Sequence, residues 1–256
     1  MTHIASATTR DGLEYDLAIP PAEIRYRVAS SEHSVKEFVR IGRDSASEIE
    51  EAAQLIGGLG GCRAVLDFGC GCARVVQHIH ARHPHIGLTG TDIDPVGVEW
   101  ARANLSGGMI FDINEPMPPL RYADAQFDLI YALSVFSHLD DEMQKAWLEE
   151  LARILRPGGL LFFSFNGRHV VDAIAPTLSD TVFDGLETRG FHFLRNIGDG
   201  VLPEWYQTSL QNLDLPGAGF GLRLLDGTAQ TASNGRLAGR NECGAPLTAG
   251  SQPAEA

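Results

Sequence analysis

Val65-Leu66-Asp67-Phe68-Gly69-Cys70-Gly71-Cys72-Ala73-Arg74 begins as an apolar run, meets an acid at Asp67, turns through two glycines and enters a helix-compatible stretch at Ala73. A strand, a tight glycine turn and a helix N-terminus in that order mark the place in a doubly wound sheet where a nucleotide-like ligand lies against exposed backbone N–H groups. Glycine serves there because the turn needs unusual φ/ψ and because a side chain would hold the ligand off the backbone.

Strand and helix patterns alternate beyond this turn. Ala64–Phe68 reads as the first strand of the series and Ala73–Arg82 as its helix. Ile86–Thr91 is the second strand, and Pro95–Asn104 a helix opened by proline. Met109–Phe111 is a short third strand and Phe127–Ala132 the fourth. Met143, Trp147, Leu151 and Ile154 line one side of a helix that starts at Asp140 or Asp141 and stops at Pro157-Gly158-Gly159. The apolar run Leu160–Phe165 is a strand covered on both faces. The expected fold is α/β: a Rossmann-like, doubly wound, mostly parallel sheet with helices on both faces.

Upstream, residues 1–33 are mixed. Val35, Phe38, Val39 and Ile41 mark one helix, and Asp44 or Ser45 caps a second that carries Ile49, Ala52, Ala53 and Ile56. Downstream, residues 169–188 suit a helix, and Phe191–Leu194 and Gly219–Leu225 suit short strands. From Asp226 to Ala256 there is no Val, Ile, Phe, Tyr, Trp or Met, which predicts a disordered tail. The expected organisation is an N-terminal helical extension over 1–57 that serves as lid or flank, a domain over 58–225, and an irregular C-terminal tail over 226–256.

Composition narrows the function. The 256 residues carry 20 basic and 33 acidic side chains, a net charge of −13, with no Lys/Arg-rich run, which disfavours a nucleic-acid partner and favours a small molecule. No apolar stretch is long enough to span a bilayer, and the N-terminus lacks a basic head with an apolar region behind it, so a cytoplasmic location is expected. Cys70 and Cys72, spaced C-x-C, fit neither a redox pair nor half of a zinc site. His78, His80, His83 and His85 have no Cys or carboxylate at ligand spacing beside them, and no metal is expected.

Acids fall at the ends of successive strands. Asp67 precedes the turn. Asp92 follows Gly71 by 21 residues, where a carboxylate accepts the two hydroxyls of a ribose. Asp112 ends the third strand, within reach of an adenine amine, and Leu133-Ser134 present backbone after the fourth.

The series VLDFGCGCAR, GTDIDP, FDLIYALSVFSHL and LRPGGLLFFSF resembles the successive motifs of class I S-adenosylmethionine-dependent methyltransferases, in order and spacing, over residues 35–166. Residues 24–43 resemble the helical N-terminal extension of a bacterial small-molecule subgroup. The resemblance implies S-adenosyl-L-methionine as cofactor and a small-molecule acceptor methylated on oxygen or nitrogen. It implies that Gly69, Cys70 and Gly71 pass beneath the methionine part and that Asp67 holds its amino group. Asp92 then binds the ribose, Ile93 packs on the adenine, and Asp112 with Ile113 contacts the adenine edge. Leu133 and Ser134 offer backbone to the methionine end. Arg74 either meets the cofactor carboxylate or lies on the helix surface. Ala73 stands where the family has a third glycine, which the first turn of a helix tolerates. The family also closes its sheet with an antiparallel last strand, for which residues 226–256 offer no evident segment.

His138, six residues past the fourth strand, is the expected general base, its alternative role being to fix the loop into Leu139-Asp140; His169 is a second choice. Glu204 and Tyr206 are expected to line the acceptor site, while Trp205 suits a core position equally well. Tyr26 and Phe38 either close over the cofactor or pack between helices. Two other classes compete. A nicotinamide-dependent oxidoreductase shares the turn and the later acid, but G-x-G-x-x-G needs glycine where Arg74 stands. A cofactor-binding protein without catalysis fits the core-poor C-terminus.

Overall fold

A computed structural model describes residues 3–9, 12–28, 34–105, 107–166, 180–194, 208–211, 223–224 and 235–240. The chain divides into two compact units, residues 1–116 with 127–131 and residues 117–126 with 132–256.

In the first unit, β1 (His3–Thr8) and β2 (Glu14–Ile19) form an antiparallel hairpin, followed by α1 (Ala22–Arg27) and α2 (Val35–Ala53). Then come β3 (Ala64–Phe68), α3 (Val76–Arg82), β4 (Gly87–Asp92), α4 (Pro95–Asn104), β5 (Ile110–Ile113) and β6 (Phe127–Ala132). The strands pair in parallel in the order β6-β3-β4-β5. Chain order runs outward from β3 to β5 and then returns to the other side of β3. That reversal opens a ligand-binding crevice beyond the carboxyl ends of the strands, as expected for a doubly wound sheet. Every residue of β6 is buried, in keeping with a central strand.

The N-terminal extension, expected to be mixed over 1–33 and helical beyond, holds a β-hairpin in its first part. The hairpin turns through Gly12 at φ 92°, with the Thr9 N–H donating to the Leu13 carbonyl at 2.9 Å. Leu17 and Ile19 of the hairpin bury against Phe38 of α2 and Cys72 of the glycine turn. Phe38 is therefore core. The two helices expected over 34–56 are one. Ser34 caps α2 by accepting from the Glu37 N–H at 3.2 Å, and Asp44 stays helical, paired with Arg40 one turn earlier. Gly42 does not break α2; it lets the helix press on the turn-to-α3 region, where a Cβ would come within 2.6 Å of the Arg74 carbonyl.

In the second unit, Asp140 caps α5 (Asp141–Ile154) by accepting from the Met143 N–H at 2.8 Å. Strand β7 (Leu155–Phe165) follows at once, earlier than the expected start at Leu160. The helix ends at Ile154, proline suits extended backbone, and the strand runs through Pro157-Gly158-Gly159 with Gly158 at φ 75° as a local irregularity that glycine accommodates. Glu150 Oε1 accepts from the Leu120 N–H at 2.7 Å and from Arg153 at 2.6 Å, anchoring the loop before β6 to α5. Beyond lie α6 (Asp180–Arg189), the antiparallel pair β8 (Phe191–Leu194) and β9 (Thr208–Gln211), β10 (Arg223–Leu224) and β11 (Gly235–Arg240).

Strand β11 amends the reading of 226–256 as tail. It pairs antiparallel with β7 from Gly235↔Phe165 to Arg240↔Leu160, and β10 pairs with its other edge. Its sequence, Gly-Arg-Leu-Ala-Gly-Arg, carries little apolar signal, and the pairing itself is made by backbone groups on the edge of β7. Removing residues 227–256 is accordingly expected to lower the melting temperature by at least about 4 °C. An unchanged melting curve would show that β11 contributes nothing to stability. His169, Glu204, Trp205 and Tyr206 lie outside the described residues.

Candidate functional site

The glycine turn starts where β3 ends. Gly69 and Gly71 hold φ 81° and 51°, and Ala73 follows at φ 62°. The expectation that Ala73 opens a helix is therefore corrected: the turn runs on, with the Ala73 N–H donating to the Cys70 carbonyl at 2.8 Å, and α3 begins at Val76. A non-glycine residue there carries a conformational cost of about 1–2 kcal/mol. Such strain collects at functional sites.

The turn's N–H groups also have partners that the sequence did not disclose. Those of Gly69 and Cys70 donate to the Thr91 carbonyl at 2.8 and 3.0 Å, and that of Gly71 donates to Asp92 Oδ2 at 2.7 Å. The end of β4 thus ties down all three donors. What the turn offers a ligand is space rather than hydrogen bonds. Two further glycines serve close approach: a Cβ at Gly97 of α4 would sit 2.8 Å from the Gly71 carbonyl, and one at Gly90 would sit 2.9 Å from Cys70 Sγ.

Asp92 is oriented before any ligand arrives. Besides the Gly71 N–H, it accepts the Asp94 N–H on Oδ1 at 2.8 Å. Burial pushes its carboxyl above the usual range, while these backbone donors pull it down. Each oxygen keeps a lone pair for a ribose hydroxyl. Across the β4–β5 ladder Asp92 is in register with Ile113. Ile93 and Ile113 are 40% and 45% exposed, large apolar side chains at the ends of adjacent strands, suited to the faces of a base. Asp112 beside them is buried, with Arg102 Nη2 3.8 Å from its Oδ1.

Asp67 is buried on β3, and burial pushes its carboxyl up to about 8, the nearby Tyr131 hydroxyl and Arg74 acting the other way. Arg74 does not take the surface alternative: its Nε is buried without a hydrogen-bond partner among the described residues, and desolvation holds the guanidinium below its ordinary range. Cys70 and Cys72 are buried free thiols, each pushed up by burial, Cys72 to about 12, and so are unreactive.

Two residues escaped the sequence reading. Arg27 of α1 makes a bidentate ion pair with Asp94, Nε–Oδ2 at 2.6 Å and Nη2–Oδ1 at 2.8 Å. Asp94 also caps α4 through the Val96 N–H at 3.2 Å, and its own N–H orients Asp92. Val28 packs over Gly71, where a Cβ would collide with its side chain. The D-x-D-P spacing of Asp92, Asp94 and Pro95 carried the capping signal; nothing in the sequence pointed to Arg27 as its partner.

Leu133, Ser134 and His138 belong to the second unit. Ser134 adopts φ 57°, and its N–H donates to Ser164 Oγ at 2.6 Å. His138 ends a short 3-10 turn over Phe136–His138. The histidines near α3 diverge: His78 meets the Tyr15 hydroxyl at 2.7 Å, His83 meets Glu50 at 2.9 Å, and His85 meets the Gly60 carbonyl at 3.3 Å. Among the described residues no group of His, Cys, Asp and Glu is placed to hold a metal.

A family model described as a methyltransferase domain matches residues 65–159, from β3 into β7. The match marks residues 65–159 as a methyltransferase domain. This methyltransferase domain is 31% identical over 105 residues to malonyl-[acyl-carrier protein] O-methyltransferase of Hahella chejuensis, covering 41% of this chain and 37% of that protein. It is 32% identical over 102 residues to 27-O-demethylrifamycin SV methyltransferase of Amycolatopsis mediterranei, covering 38% and 36%. The match thus spans well under half the length of these relatives. In fold, the chain is similar to an O-methyltransferase family protein of Burkholderia thailandensis, with a TM-score of 0.53 at 16% identity over 82% of this chain and 59% of that one.

Proposed function

We propose that this chain transfers a methyl group from S-adenosylmethionine to an oxygen or nitrogen atom of a small-molecule acceptor. The observation that carries the proposal is the convergence at the ends of β3, β4 and β5 of a buried acid, a space-making turn, a pre-oriented carboxylate and an exposed pair of isoleucines. These residues fit the cofactor. Ile93 and Ile113 would hold the adenine with Asp112 at its edge, and Asp92 would take the ribose hydroxyls. Asp67 and Arg74 would meet the charged ends of the methionine part. When bound, the cofactor supplies a methyl group already activated on a sulfonium.

The chain's remaining task is to orient the acceptor and exclude water, for which alignment contributes up to roughly 7–11 kcal/mol. Leu133 and Ser134 are proposed to offer backbone to the methionine end. On its place in the chain, His138 is proposed to take the acceptor's proton. His138→Ala is then expected to lower kcat by roughly a hundredfold or more with cofactor affinity unchanged. Undiminished turnover on an acceptor would place the base elsewhere.

The acidic balance supports a neutral or cationic small acceptor. No helix among the described residues is long and apolar enough to cross a membrane. Residues 1–57 are proposed to act with the domain, since Arg27 and Val28 reach the turn and the cap beside Asp92. The nicotinamide alternative is disfavoured by the turn itself, whose N–H groups at 69–71 are engaged by β4 rather than free for a pyrophosphate.

Calorimetric titration with S-adenosylmethionine, S-adenosylhomocysteine, NAD and NADP tests the reading. Micromolar binding of the sulfur compounds alone is expected. Binding of a nicotinamide cofactor alone, or of nothing to folded protein, would overturn it.

A further inference from the structure

The central row of the sheet holds a polar group with no assigned task. Tyr131 of β6 is in register with Asp67 of β3, which is in register with Gly90 of β4, and Gly90 with Phe111 of β5. Partners in register on parallel strands project to the same face, so the phenol and the carboxyl are neighbours on one side of the sheet. Gly90 contributes no side chain to the row. Tyr131 is 0% exposed and Asp67 4%. Among the described residues the buried Tyr131 hydroxyl has no hydrogen-bond partner of normal geometry. It is nevertheless close enough to Asp67 to act on its charge. A buried hydroxyl whose one nearby acceptor is imperfectly aligned is a standing cost to the fold, and that acceptor here is the Asp67 carboxyl.

The groups that face Asp67 within this unit come from each element packed on it. Arg74 and Cys70 come from the turn, Asp92 from β4 and Tyr131 from β6. Asp92 opposes a charge on Asp67, and Arg74 favours it. Burial wins, and the ligand-free acid carries its proton at neutral pH. The phenol is pushed well above its ordinary range, so it stays a donor throughout.

We infer that Tyr131 is a positioning residue for Asp67: its hydroxyl donates to the Asp67 carboxylate once that carboxylate holds the amino group of the cofactor, so that cofactor binding releases a proton from Asp67. This rests on the cofactor reading above. The balance is simple: the carboxyl O–H of Asp67 breaks, its proton leaves to solvent, and Tyr131 keeps its own. The ligand's ammonium replaces the lost proton as counter-charge. In the ligand-free chain Tyr131 faces a neutral acid and gains little from it; in the complex it faces an anion, to which a hydrogen bond is roughly twice as strong.

Linkage sets the test. At about pH 6.5, below the ordinary range of an α-amino group, wild-type protein titrated with S-adenosylmethionine in two buffers of different ionisation enthalpy is expected to release close to one proton. Methylthioadenosine, which lacks the amino-acid part, is expected to release none. Tyr131→Phe is expected to weaken S-adenosylmethionine binding roughly 10- to 100-fold at that pH. The deficit shrinks towards about pH 9, where Asp67 is ionised with and without ligand. Methylthioadenosine affinity and thermal midpoint hold or improve, because the variant loses an imperfectly paired hydroxyl.

A purely structural tyrosine would instead weaken both ligands at every pH, and that result overturns the inference. So does wild-type binding without proton release, which decides the matter even if Tyr131→Phe fails to fold. Wild-type protein that binds neither compound at any pH overturns the cofactor reading itself, a distinguishable outcome.

Discussion

Asp92→Ala is expected to lower the affinity for S-adenosylmethionine by at least about a hundredfold while the chain remains folded. The size follows from what the carboxylate does. It is the proposed acceptor for two ribose hydroxyls, and hydrogen bonds to a charged group are worth about 1.5–3 kcal/mol each. It also restrains the turn through the Gly71 N–H at 2.7 Å and the α4 cap through the Asp94 N–H at 2.8 Å. Removing it therefore loses ligand contacts and loosens the surface under the ligand together. The fold survives because the turn keeps its two bonds to the Thr91 carbonyl. Titration calorimetry alongside circular dichroism checks both halves. Wild-type affinity in a folded variant would remove the ribose role.

The second large effect is one of stability and carries a definite pH signature. The carboxyl of Asp67 is raised from its ordinary 3.8 to about 8, chiefly by burial. A folded-state value above the unfolded one means that the acid's contribution is fully present below about pH 4 and is lost as pH rises through about 8. Asp67→Asn, close in shape and never charged, is therefore expected to match wild type at pH 4 and to surpass it progressively towards pH 9. The gain there is on the order of a few kcal/mol. The same variant loses its hold on the cofactor's amino group and binds S-adenosylmethionine poorly. Thermal melts of the two proteins at both ends of this range measure the effect. A difference independent of pH would mean that Asp67 is not a neutral buried acid in the free protein.

The legible parts of the fold were those in which side chains alone settle the matter. Ala64–Phe68, Pro95–Asn104 and Phe127–Ala132 have the bounds read from the sequence, because apolar runs, a leading proline and capping acids mark their ends. Asp92, Ile93, Asp112 and Ile113 fall at the strand ends for the same reason. The hairpin over residues 3–19 was missed although Asp11-Gly12 carries a turn signal, since its strands lack strict alternation. Strand β11 gave no signal because residues 235–240, Gly-Arg-Leu-Ala-Gly-Arg, hold neither an apolar run nor a β-branched residue. Ala73 misled because alanine favours helices, and only the backbone shows it in the left-handed region. The Arg27–Asp94 pair joins residues 67 apart, a distance over which no local pattern reports.

The engagement of the turn's donors by β4 has a consequence for how such a protein lives among competing nucleotides. A cell holds adenosine in many forms, and most of them carry phosphates. Asp92 and Asp112 crowd this crevice, Asp67 beside them gives up its proton only to an arriving cation, the chain is itself strongly acidic, and no amide of residues 69–71 is spare to greet an oxyanion. An adenosine that arrives with a triphosphate tail meets repulsion where one with an ammonium tail meets a counter-charge. Discrimination against the abundant energy carriers thus follows from the wiring of three backbone amides and does not require a side chain set aside to reject them.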